Sequence, residues 1–360
     1  MRRRQIILVL LALTSSPVLA VSFYFSPDVP TDDPSGATAA IYLPWQIIRS
    51  DPGTYNVAQV LPRNTFVDGL HLMNNGDWLF SVEVPSELPP GGGVFYQPGD
   101  VVRFDGSNYT LFFNAALQGV PASSNVDALF LVGGDSGSLI LSFDVPTTIG
   151  ANTYEPADLV RFAGGVFSLF LDASATVPPI PTSSNVTGAD RRGGLNVLTF
   201  DVPTTLGAAT YLPGQLVVWD PGLPGFATVF ADPGWPLSSR IDAFAFLANP
   251  GEVVRLDVAK SMITAGDLTI SWTASCSIGA EDYGIYEGTL GSYYSHTAID
   301  CNDAGADLTE EVTPSGGDHY YLVVPLNPND EGSYGRASSS TERPQGSSPC
   351  AATQELEPCP

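Results

Sequence analysis

Between Val126 and Asn185 the chain alternates short runs rich in Val, Leu, Ile and Phe with clusters of Gly, Pro, Asp and Ser. The apolar runs cover 126–132, 138–144, 158–163 and 166–172. Gly-Gly-Asp-Ser-Gly, Val-Pro-Thr-Thr-Ile-Gly and Ala-Gly-Gly separate them. Runs of this length and composition, bounded by such clusters, predict strands, because Gly reaches positive φ and Pro cannot donate to a ladder. Four strands joined by tight turns predict an antiparallel meander.

Most of this unit is written again on either side. Val-Pro recurs at Pro30, Pro85, Pro146 and Pro203, spaced 55, 61 and 57 residues apart. A polar residue before an apolar pair recurs at Gln46, Asp100, Asp158 and Gln215, spaced 54, 58 and 57. The unit opens as VDGL at 67, VDAL at 126, VTGA at 186 and IDAF at 241. A shared period of this length points to a solenoid or a propeller. The ends of the array decide between them. The first copy, 23–62, holds only the last three strands, and the last copy, 241–247, holds only the first. A ring uses such a split unit to join its two ends and leave no free edge. The prediction is an all-β fold: a four-bladed β-propeller over 21–250, closed by the N- and C-terminal strands of the array. In this it resembles β-propeller repeat proteins at large, of the secreted, bacterial type, without a WD, kelch or Asp-box signature.

Composition narrows the partners. The formal charge is −24 over 360 residues, with Lys260 the sole lysine. Such a balance argues against nucleic acid and anionic membranes. Residues 1–20 read as a signal peptide, with a basic Arg2-Arg3-Arg4, an apolar Ile6 to Leu13 and a small-residue end at Ala20. Losing those three arginines would take the formal charge from −24 to −27. No later stretch is apolar for long enough to cross a membrane. The expected location is secreted or cell-surface, with the periplasm as an alternative.

Two acidic sets recur in the array. Asp68, Asp127 and Asp242 open their units, with Thr187 in the degraded copy. Carboxylates converging at one end of a central channel could hold calcium; alternatively each caps a turn through backbone amides. These three are the candidate ligand-binding residues. Asp28, Glu83, Asp144 and Asp201 precede Val-Pro, and the expected partners of these are the third-strand arginines Arg49, Arg103 and Arg161. Aromatic residues of the fourth strands (Tyr109, Phe112, Phe113, Phe167, Phe170) are expected between sheets. Gly134-Asp135-Ser136-Gly137 has the look of a protease nucleophile motif, yet it falls in a hairpin. The three histidines His71, His296 and His319 supply no matching base motif, so it reads as a turn.

From Glu252 the repeat stops and all four cysteines appear. Runs at 253–261, 267–275, 282–288 and 319–327, with a shorter one at 332–338, predict a β-sandwich. Trp272 in LTISW, Val312-Thr313-Pro314 leading to Tyr320, and Asn327 before Glu331-Gly332-Ser333 resemble a fibronectin type III domain over 251–338. That resemblance implies a spacer or binding role and no catalytic residues. Residues 339–360 form a Ser- and Pro-rich tail. Behind a signal peptide, Cys276, Cys301, Cys350 and Cys359 are expected in disulfides, and proximity favours Cys276–Cys301 and Cys350–Cys359.

Two function classes follow. One is a secreted, non-enzymatic binding or structural protein whose loops meet an extracellular protein or carbohydrate. The other is a secreted carbohydrate-active or other hydrolase using carboxylates on one propeller face. Singular polar residues are few in the array. Asp190-Arg191-Arg192 is the clearest, and a solvated turn is the simplest account of it. The expectation is therefore no catalytic residue and no cofactor, with calcium as the alternative.

Overall fold

The structure is a computed structural model that describes residues 22–34, 40–51, 54–192, 194–219, 225–231, 235–236, 239–277, 279–303, 307–338 and 341–356. The expected signal peptide and Cys359 lie outside the described residues. The described residues are all-β, with two single-turn 3₁₀ segments among them, Ala116–Gln118 and Ala173–Ala175.

Four antiparallel sheets of four strands occupy the repeat region. The third sheet is the unit read from sequence: Val126–Val132, Ser138–Phe143, Leu159–Ala163 and Val166–Leu171, in that order. The second runs Val67–Leu72, Trp78–Val82, Val101–Phe104, Tyr109–Phe113. The fourth runs Val186–Arg192, Leu195–Phe200, Gln215–Trp219, Phe226–Ala231. The first is assembled from both ends of the array. Ile241–Phe246 pairs antiparallel with Phe23–Pro27, Phe244 opposite Phe25, and Gln46–Asp51 and Thr54–Val60 follow.

Apolar clusters fill the spaces between successive sheets. Ile47 and Ala243 of the first meet Phe80 and Val102 of the second. Leu79 and Phe113 meet Leu129 and Leu141 of the third. Phe130 and Leu159 meet Leu198 and Val217 of the fourth. Val197 and Leu216 then meet Phe23 and Phe244 of the first, so the fourth sheet packs back on the first. Two-sided burial explains why the inner strands are apolar nearly throughout instead of alternating. Phe113 reaches Phe162 at 5.0 Å and Phe167 at 6.3 Å across two sheets, as expected of a gap-filling aromatic. Phe112 alternates to the other side and is exposed.

The sequence landmarks have mechanical roles. Asp100 accepts from the Gln97 and Ala115 amides at 2.9 and 3.0 Å, and Asp158 accepts from Glu155 and Ala173, both at 2.9 Å. Gln46 and Gln215 clamp Leu43 and Leu212 in the same way. The first amide of each inner strand donates to a proline carbonyl of the sheet before: Val67 to Pro44, Val126 to Pro98, Val186 to Pro156, Ile241 to Pro213. These bonds step each sheet onto the next.

Residues after 252 form two facing sheets. One has Leu256–Lys260, Leu268–Trp272 and Thr309–Val312. The other has Thr297–Asp300, Asp282–Thr289, His319–Leu326, Asp330–Glu331 and Thr353–Gln354. Ile270, Trp272, Tyr283, Ile285 and Val323 pack between them. The expected strand at 332–338 is replaced by Asp330–Glu331, against which the tail strand Thr353–Gln354 lies parallel. The disulfide pairing also differs from proximity: Cys301 joins Cys350, across a separation of 49 residues. Cys276 is disulfide-bonded too. The reason is Glu331. Fully buried, it accepts from Tyr286 Oη, Tyr334 Oη (2.6 Å), Gln345 Nε2 (2.8 Å) and the Cys350 amide (2.6 Å), and so draws the tail onto the sheet.

Candidate functional site

Each inner strand begins with an irregular register, and the residue displaced is Asp68, Asp127, Thr187 or Asp242. A bulge leaves its extra residue off the ladder and turns its side chain away from the regular alternation. The three aspartates are buried there, at 3 to 4% exposure. The antiparallel hairpin then brings a second tier alongside. Val126 pairs with Phe143, so Asp144 stands beside Asp127, and Asp201 and Glu83 hold the matching places in the fourth and second sheets.

Donors reach these carboxylates from the neighbouring sheet. Asn125 Nδ2 donates to Asp68, and Asn185 Nδ2 to Asp127. The backbone amides of the same residues donate to Asp144 (2.7 Å) and Asp201 (3.1 Å). At the seam the pattern changes. The residue matching Asn125 in the second sheet is Phe66, which has no donor for Asp242. Thr187, which Arg240 would otherwise reach, has no charge. Arg240 instead donates to its own Asp242 at 2.7 Å and lies 3.8 Å from Asp28, whose Oδ1 accepts the Arg240 amide at 2.9 Å.

The expected pairing of the second tier with Arg49, Arg103 and Arg161 does not occur. Arg49 pairs with Asp51 and Glu281, Arg103 with Asp77, and Arg161 stacks over Phe170 at 5.0 Å. Register is the reason: Arg161 lies opposite Ile140, four positions short of Asp144 along the strand.

Glu83, Asp144 and Asp201, with Asp68 and Asp127 beneath them, line a recess of about 420 Å³ in which Arg240 is the one lining cation among the described residues. Burial drives the Asp68 carboxyl well above the usual range, helped by the charges of Asp127 and Asp242, while Asn125 works against it. Asp127 is pushed up to about 7 by burial, opposed by Asn185 and by a hydrogen bond with Asp68. Asp242 is pushed up to about 7, again by burial first, with Arg240 pulling the other way. A protonated Asp68 can donate to Asp127, which lets two buried carboxyls share one charge. The three sequence candidates are thus brought to one end of the array. N–H donors occupy their oxygens, and among the described residues no group of three or more His, Cys, Asp or Glu is set to hold a metal ion. The convergence of the second tier was missed, although hairpin pairing alone would have predicted it.

The opposite end is built differently. Asp190-Arg191-Arg192 is no solvated turn; it lies in the strand Val186–Arg192. Asp190 is buried, accepting the Phe246 amide at 2.7 Å, with His71 Nδ1 at 3.8 Å. Burial lowers His71 to about 4, so it is neutral at pH 7. Arg192 donates to Asn329 O (3.0 Å), Asp330 (3.4 Å) and Thr353 (3.3 Å) of the C-terminal sheet and tail. Arg49 grips Glu281 with two bonds of 2.7 and 3.0 Å, and the Ser22 backbone N–H donates to Asn329 Oδ1 while its carbonyl accepts from Asn329 Nδ2. The protease-like Gly134–Gly137 stretch is a hairpin turn whose Asp135 accepts the Asn74 and Asn75 amides of the neighbouring hairpin.

No family model matches this chain, and no curated protein does. Among solved structures it is similar to YCF48 bound to a D1 peptide (8% identity, TM-score 0.26, 65% of this chain and 57% of that one). It is also similar to the extracellular domain of a putative hybrid two component system from B. thetaiotaomicron (10%, 0.23, 89% and 42%). A protein of unknown function from Bacteroides caccae gives 9%, 0.29, 70% and 83%. The chain thus spans little more than half of the first of these and less than half of the second. Likeness at such scores supports no argument about function.

Proposed function

We propose that this is a secreted, non-enzymatic binding or structural protein, exported by its first 20 residues. In this reading residues 21–250 make a four-bladed β-propeller, closed where Ile241–Phe246 lies beside Phe23–Pro27. Residues 251–338 make a fibronectin type III-like module fixed to one end, with the tail strand Thr353–Gln354 added to its sheet, and the acidic recess at the other end receives a cationic group of an extracellular ligand. One observation carries the reading: five carboxylates from three sheets line one recess against a single arginine. Such a surface concentrates negative potential in a low-dielectric cleft and attracts cations.

A carboxyl pair acting as general acid and general base has its two pKa values driven apart; burial instead raises both Asp127 and Asp242.

The test is titration calorimetry of the mature protein with spermidine and a short oligo-arginine peptide, against neutral oligosaccharides. Cationic probes should bind, and affinity should fall with salt. The variant Glu83→Gln with Asp144→Asn should weaken binding by about tenfold, the factor that corresponds to ~1.4 kcal/mol. Equal affinity of the variant would remove the recess from the account. Turnover of glycoside, ester or peptide substrates, abolished by Asp127→Asn, would put the hydrolase reading first.

A further inference from the structure

At the end of the C-terminal sandwich away from the array, two loops hold large apolar side chains out in solvent. The hairpin 261–267 presents Met262 at 99% exposure and Ile263 at 86%. The connection 290–296 presents Leu290, Tyr293 and Tyr294 at 51, 60 and 59%. The segment 313–318 joins the two loops. Thr313 donates to Asp267 at 2.8 Å, Ser315 donates to Glu287, and the Leu290 amide donates to Asp318 O at 3.0 Å.

Both loops are braced. Ser261 Oγ accepts from the Ile263 and Thr264 amides, each at 2.9 Å, and donates to Glu311 at 2.7 and 2.8 Å. In the other loop Ser295 Oγ accepts the Thr289 amide at 3.0 Å, and the Ser292 and Ser295 amides close two turns on Thr289 and Ser292. Folding gains almost nothing from a Met at full exposure, because the apolar gain comes from area removed from water. Single exposed apolar residues need no explanation, but five on one braced tip do.

The charges at this tip have been sorted. Glu287 is buried, Glu311 and Asp267 are half-buried, and the three accept from Ser315, Ser261 and Thr313, while Asp318 is exposed. Lys260, the only lysine of the chain, stands exposed at the base of the Met262 hairpin, opposite Leu268.

We propose that this tip docks on a zwitterionic phospholipid surface. Met262, Ile263 and Leu290 enter the acyl boundary, the Tyr293 and Tyr294 rings lie at headgroup depth, and Lys260 meets a lipid phosphate. Tyrosine suits that boundary because its ring is apolar and its hydroxyl is wet. A fluid lipid surface accepts two such exposed loops without shape complementarity. The −24 charge sets anionic membranes against the protein, so the neutral surface is favoured. The inference is independent of the acidic recess.

The experiment is flotation of the full mature protein with phosphatidylcholine vesicles, with and without phosphatidylserine. Wild type should float with pure phosphatidylcholine, and less with phosphatidylserine present. Met262→Ser with Ile263→Ser, and Tyr293→Ser with Tyr294→Ser, should each lower partition by about tenfold or more, given the apolar area withdrawn. Leu117→Ser, at an exposed apolar position of the array, should float as wild type does. Folding of every variant is checked by circular dichroism. The proposal falls if folded wild type stays in solution, or if both double variants float unchanged. It falls too if sedimentation shows a wild-type dimer that Met262→Ser with Ile263→Ser dissolves, which would make the tip a contact between copies.

Discussion

Arg240 donates to Asp242 at 2.7 Å, two positions along its own segment, where the third and fourth sheets have an asparagine that reaches across to the sheet before. The repeat is broken here in two places that compensate each other. Phe66 supplies no donor for Asp242, and Thr187 needs none as strong as an arginine.

Removing this donor alone leaves Asp242 buried without its counter-charge. Arg240→Met is expected to cost about 1.5–3 kcal/mol, the range for hydrogen bonds to charged groups. Arg240→Met with Asp242→Asn should recover most of the loss, because no buried charge is then stranded. Urea unfolding midpoints of these two variants and of Asp242→Asn alone test the pair as a double-mutant cycle.

The buried carboxyls make stability fall as pH rises. Asp127 and Asp242 sit near 7 in the folded chain and in the ordinary carboxylate range when unfolded. Between about 4 and 7 the folded state holds the extra protons, so raising pH through that window favours unfolding. Below the window both states are protonated and the penalty vanishes. Burial raises the Asp68 carboxyl as well, so Asp68→Asn should stabilise the protein at pH 7.5 and do little at pH 4. Thermal melts of both proteins across that range give the difference directly; a gain that grows toward low pH would contradict it.

Cys301–Cys350 closes a loop of 49 residues. In the chain-entropy account such a loop stabilises by about 4 kcal/mol, and Cys350→Ser should lose an amount of that order. Non-reduced peptide mapping should recover the Cys301 and Cys350 peptides joined. Protease should cut 341–356 in the variant and spare it in wild type.

Arg192 holds the C-terminal sheet to the array through Asp330 and Thr353. Burial raises the Asp330 carboxyl, with Arg192 opposing. Arg192→Ala should cost about 1.5–3 kcal/mol, and combined with Arg49→Ala, which releases Glu281 as well, it should separate the calorimetric transition into two as the halves uncouple. Adding Asp330→Asn should narrow the loss, and cleavage within 247–256 reports the uncoupling.

The strand positions of the array and its repeat were legible in the sequence. Apolar runs, Gly and Pro turns and their period are local properties, and local geometry suffices to read them. The shared place of Asp68, Asp127 and Asp242 in the unit was legible too, since it recurs with the repeat. Tertiary structure decided what those residues meet. Bulges turn the aspartates inward, hairpin register brings Asp144 and Asp201 beside them, and sheet-to-sheet stepping supplies Asn125 and Asn185. Arg161 was misread because residue type names a wanted partner, while register chooses which one is within reach. The same holds for Cys301 and Cys350. Proximity in sequence measures the entropy of closing a loop, yet the pairing followed Glu331, whose burial required donors that only the folded tail could bring.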